Sequence, residues 1–135
     1  MNNVVARFVD GRVLKGTSLN VDPAKPAFHV RTPDGPVEVK LADLKALFFV
    51  KSLGGNAAHH EAMAPTEGDP RLVGGKPVAV IFKDREKIVG VTNRFPPNKP
   101  FFFMLPIDPR SNNLRILVNK SAAISIREAT DLAAS

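Results

Sequence analysis

Five basic side chains in the first third of the chain, Arg7, Lys15, Lys25, His29 and Arg31, have the residue types that hold phosphate or carboxylate groups. On alternating extended backbone, Arg7, Lys15, His29 and Arg31 share one face of neighbouring strands, an arrangement suited to phosphate contacts. Lys25 stands between Pro23 and Pro26 in a stiff loop, free of any role in a core. The competing reading is an ordinary solvated strand face. His59-His60-Glu61 has metal-binding residue types, but adjacent histidines point apart on any regular element and no spaced third ligand stands nearby, so no metal is assigned. Gly74-Gly75-Lys76 resembles the end of a phosphate loop, yet Pro77 occupies the place where Ser or Thr would hold magnesium. Without a Gly-x-Ser-x-Gly elbow, a cysteine or a carboxylate pair on one face, the chain is expected to be no enzyme and to need no cofactor.

Composition narrows the class. With 135 residues, a net charge of +6 and no cysteine, a disulfide framework and a thiolate metal site are both ruled out. No apolar run reaches the roughly 18 residues of a membrane helix, and Met1 to Val9 lacks the pattern of a signal peptide, so a cytoplasmic location without membrane attachment is expected. Residues 4–51 hold eight Lys/Arg against five Asp/Glu, residues 52–77 two against three, and residues 78–135 nine against five. The two flanking segments are basic and the connector is not.

The elements that must position these cations are written twice. Val4, Phe8, Asp10, Gly16, Pro23, Lys25, Pro26 and Phe28 recur 74 positions later as Val78, Phe82, Asp84, Gly90, Pro97, Lys99, Pro100 and Phe102. Alternation from Val4 to Val9, the Asp10-Gly11 turn and a second strand from Arg12 to about Val21 make a hairpin. Gly16 would let the second strand bend where a small barrel closes. Strands from Ala27 to Thr32, Pro36 to Leu41 and Lys45 to Lys51 follow, with one helical turn at Ala42-Asp43-Leu44. The second copy repeats this plan with three extra residues around Ile107 to Asn113, which moves the offset to 77. The domains expected are a first barrel at 4–51, a linker at 52–77 with one poorly specified helical turn around Ala57 to Ala64, a second barrel at 78–127, and a tail at 128–135.

Five short strands, a glycine-bent second strand and a one-turn helix before the last strand describe a small β-barrel, and the plan resembles the SH3-like and Sm-like barrels. Asp10-Gly11-Arg12, Lys15-Gly16, Pro26-x-Phe28 and the run Leu41 to Lys51 also resemble a family of uncharacterised bacterial domains. The resemblance implies an all-β fold of two tandem five-stranded barrels packed as one body, and no known activity. Where Sm proteins carry an RNA-contacting Arg-Gly signature, this chain reads Ala42-Asp43-Leu44 and Asn119-Lys120-Ser121.

The two copies differ on their outer faces. Opposite the shared core positions, the first copy shows Arg7, Lys15, Thr17, Ala27, His29 and Arg31, while the second shows Ile81, Val89, Val91, Phe101, Phe103 and Leu105. An apolar face of that size calls for cover: either the linker or Phe48 and Val50 of the first copy, or a second molecule in a homodimer. The function expected is a non-catalytic adaptor that binds a protein partner, and the alternative is RNA or single-stranded nucleic acid on the basic face of the first copy.

Overall fold

A computed structural model describes residues 1–19, 21–55 and 59–129. The chain is all-β: β1 (Asn2–Phe8), β2 (Val13–Ser18), β3 (Ala27–Thr32), β4 (Gly35–Lys40), β5 (Leu44–Val50), β6 (Lys76–Phe82), β7 (Lys87–Thr92), β8 (Phe101–Pro106), β9 (Asn113–Asn119) and β10 (Ala123–Glu128). Single 3-10 turns lie at Leu41–Asp43, Pro70–Leu72 and Lys120–Ala122. No helix is long and apolar enough to cross a membrane among the described residues. Residues 59–64 hold no helical turn, Ala57 and Ala58 lie outside the described residues, and so does the tail beyond Ala129.

The strands form one antiparallel sheet in the order β10-β6-β7-β8-β9-β5-β1-β2-β3-β4. It does not close, so the two barrels expected from the sequence give way to a single sheet with free edges at β4 and β10. The halves meet where β5 pairs with β9, from Ala46 opposite Val118 to Val50 opposite Asn113. The sheet turns sharply at two places where pairing thins. Only Thr17 and Arg31 pair between β2 and β3, and only two pairs join β7 to β8. Gly16 and Gly90 sit at these bends, where a Cβ would run into the backbone oxygen of Arg31 or of Leu105. A side chain there would push the crossing strands apart.

β5 is buried along its whole length, which is why Leu44 to Val50 reads as an almost unbroken apolar run rather than an alternating one. Its side chains feed two cores on opposite faces. Ala46, Phe48 and Val50 join Val5, Val78, Val80, Phe82, Met104, Ile116 and Val118 in one core. Leu44, Leu47 and Phe49 join Val4, Ala6, Phe28, Val30, Val39, Leu41 and Leu117 in the other. Each half therefore lends residues to the core of the other, and neither core is complete without the β5–β9 seam.

Turn bonds recur between the halves. Phe8 N–H donates to Arg12 O as Phe82 N–H does to Glu86 O, and Leu41 N–H donates to Pro26 O as Lys120 N–H does to Pro100 O. Ala27 faces Lys40 where Phe101 faces Asn119, so the late strands correspond at an offset of 79 rather than 77, and the second half carries five extra residues. A two-residue slip leaves every side chain on its own face, so hydrophobic alternation is blind to it.

Candidate functional site

Strand pairing gathers the predicted cations. On β1 and β2, Val5 lies opposite Lys15, with Arg7 two residues further along the Val5 face. Thr17 on the Lys15 face lies opposite Arg31, and His29 follows Arg31 on the same side of β3. All five cations are exposed, and among the described residues none of them makes an ion pair. The Arg7 guanidinium lies 5.6 Å from the Phe48 ring, and Lys15 Nζ donates to Leu53 O at 3.1 Å.

The cationic band opens at each end into a different cleft. Arg7 and Lys15 line a cleft of about 460 Å³ at the meeting of the halves, floored by Val5, Phe48, Val50 and Ile116 and walled by Leu53, Glu61 and Met63 from the connector and Glu86, Lys87 and Ile88 from the second half. Lys25, His29 and Arg31 line a second cleft of about 350 Å³ with Met1, Asp22 and Pro36. The Asp22 carboxylate is tied into its own turn, since Ala24 N–H donates to it at 2.9 Å.

The apolar face of the second half is covered from within the chain. Val89 and Val91 are buried with Ile107 beneath Leu72, Ala79 and Ala129. Phe101 and Phe103 pack against the first-half core, with Phe103 6.0 Å from Phe49. Arg115 lies over both rings, at 4.2 Å from Phe49 and 4.6 Å from Phe103. What is left for a homodimer is half-buried Ile81 and Leu105, the latter 43 % exposed. Phe95 packs in part against the core shared by the halves.

Three polar clusters join groups that lie far apart in the sequence, so that spacing alone does not assemble them. Lys45 is buried on β5, donating to Asp84 at 2.8 Å and to Glu86, with its Nζ 5.0 Å from the Phe82 ring. The Lys45 ammonium, with the N–H of Glu86, holds Asp84 below the usual carboxylate range. Arg71 grips Asp69 at 2.7 Å and donates to the carbonyls of Pro106 and Ile107, tying the connector to the end of β8, and Arg71 likewise lowers the Asp69 pKa. In the third cluster His59 Nε2 lies 2.7 Å from Asp108 and 3.8 Å from Glu61. Burial pushes Asp108 up, but the N–H groups of Ala62 and Arg110 and the His59 ring outweigh it and leave the carboxyl below its ordinary value.

Fold and surface thus define an all-β protein whose continuous sheet carries a cationic band, without ion pairs among the described residues, beside a cleft where the halves meet. The chain belongs to DUF6982, a family of unknown function, which matches residues 1–129. No curated protein and no solved structure matches it.

Proposed function

We propose that this chain is a non-catalytic binding module whose β1–β3 face takes an extended polyanion, single-stranded RNA foremost. The observation that carries this reading is the set Arg7, Lys15, Lys25, His29 and Arg31, exposed and free of ion pairs among the described residues. Unpaired surface cations are what phosphate contacts require, since binding then costs no existing salt bridge and gains from counterion release. Phe48, the aromatic beside Arg7, is buried and offers no stacking face, so the contact is to backbone phosphates and tolerant of sequence.

A protein partner added as an extra strand is the second reading, and the sheet edges argue against it. β4 shows Pro36, Glu38 and Lys40, and β10 shows Arg127 and Glu128, all exposed. By the pairing registers, Arg127 and Glu128 stand where the internal seam has Phe48 and Phe49, and Glu38 where it has Leu117. Charges and proline are the devices that keep an edge from accepting a strand. We further read the halves as a duplicated pair of SH3-like or Sm-like small barrels merged through β5 and β9, a reading supported by the recurring turn bonds.

The test is a titration of labelled mixed-sequence single-stranded RNA at several salt concentrations. Phosphate contacts from the four Lys/Arg side chains give a slope of about −2.8 in log K against log salt for a single strand. Replacing Arg7, Lys15 and Arg31 with alanine brings it to about −0.7. Absence of binding at about 50 mM salt, where counterion release helps most, overturns the proposal.

A further inference from the structure

We propose that His59, Glu61 and Asp108 form a binding site for a divalent transition-metal ion, zinc being the best match. The donor atoms come from two distant segments: His59 and Glu61 from the connector and Asp108 from the β8–β9 loop, all within 4.8 Å of one another. Residues 59–64 are not helical, and His59 Nε2 and Glu61 Oε1 stand 3.8 Å apart. His60 is exposed and is not a member of the cluster.

Asp108 is oriented before any ion arrives. Its side chain is only 6 % exposed, and it accepts from Arg110 N–H on one oxygen and from Ala62 N–H on the other, each at 2.8 Å. A buried carboxylate held this way keeps a lone pair aimed at His59 without a rotamer search, the support that metal ligands ordinarily draw from their neighbours. Donors bound to zinc at about 2.0–2.2 Å in a tetrahedron stand about 3.3–3.6 Å apart. The His59–Glu61 and His59–Asp108 separations of 3.8 and 2.7 Å lie on either side of that value, and all three donors stand within 4.8 Å of one another, so side-chain adjustment without backbone rearrangement is what an ion asks of them.

Charge points the same way. Two carboxylates face one imidazole nitrogen, and among the described residues no Lys or Arg pairs with either of them. The cluster is negative whether His59 is neutral or protonated, and a dication balances it. One imidazole with two carboxylates suits zinc, and three protein donors leave a fourth coordination position for water or a ligand group. Glu61 also lines the central cleft with Arg7 and Lys15, which puts the ion in the connector wall of that cleft.

Chelator-stripped protein titrated with zinc chloride in a calorimeter tests the assignment. The expected result is one zinc per chain with micromolar or tighter affinity, weakened at least tenfold in His59→Gln and in Glu61→Gln, together with a zinc-dependent rise in melting temperature that both variants lose. Glu61 is exposed and makes no close hydrogen bond among the described residues, so Glu61→Gln is expected to fold as the parent does and stays informative even where Asp108→Asn does not fold. No zinc uptake at about 100 µM, or unchanged uptake in both variants, overturns the site and leaves His59–Asp108 as a hydrogen-bonded clasp.

Discussion

Lys45 offers the sharpest test of how the two halves hold together. Its ammonium is buried on β5, its side chain 9 % exposed, while its partners Asp84 and Glu86 on the β6–β7 turn are 56 % and 45 % exposed. The pair is therefore lopsided, and the penalty for breaking it depends on which partner goes. Lys45→Met leaves two carboxylates that water can solvate and sets a thioether against Phe82, so the loss is about 1 kcal/mol. Asp84→Asn with Glu86→Gln strands a buried ammonium without a charge partner, and the loss is about 3 kcal/mol. The Asn side chain keeps the bond from Glu86 N–H at 3.0 Å, so the turn itself is not what fails. For a chain of this size about 4 °C of melting temperature corresponds to each kcal/mol, which predicts drops of about 4 and about 12 °C. The triple variant should fall back to the level of Lys45→Met, because the interaction is shared and the losses do not add. Thermal melts by circular dichroism decide it. A double carboxylate variant as stable as Lys45→Met would refute the reasoning.

Gly16→Ala and Gly90→Ala should each cost about 3 kcal/mol in urea denaturation, because the added methyl meets backbone of the neighbouring strand at the sheet bends, and Gly74→Ala, with nothing within 4 Å, should cost far less. Arg115→Ala should lose about 1–2 kcal/mol of stability by removing a cation from two rings, with Arg115→Lys in between, as measured by the same denaturation midpoint. The Asp69 carboxyl, its side chain 11 % exposed, has a pKa below the ordinary aspartate value because Arg71 binds the charged form. As pH falls, the unfolded state takes up that proton first, so the stabilisation is whole above about pH 4 and disappears as pH drops through the lower folded value. Urea midpoints between about pH 5 and pH 2.5 should fall less steeply in Asp69→Asn than in the parent.

Faces were legible in the sequence, because a strand's period of two follows from local backbone geometry alone. Val4, Ala6, Phe28 and Val30, and 74 residues later Val78, Val80 and Met104, are buried as alternation requires, and Arg7, Lys15, His29 and Arg31 are exposed on the other side. The hairpin turns and both bending glycines were legible too, since each answers to a local steric demand. The offset of 79 was not, as a slip of two residues preserves every face. Nor was the seam: that β5 pairs with β9 rather than leaving two separate barrels depends on which edges meet in space, and Leu44 to Val50 hints at it only through apolar residues on both faces. The candidate metal donors show the same division. His59 and Glu61 are visible as residue types two apart, but Asp108, 49 residues from His59, becomes their neighbour only when the β8–β9 loop folds against the connector. Sequence by itself determined what each strand presents to either side; tertiary structure alone decided which strands, and which distant side chains, stand together.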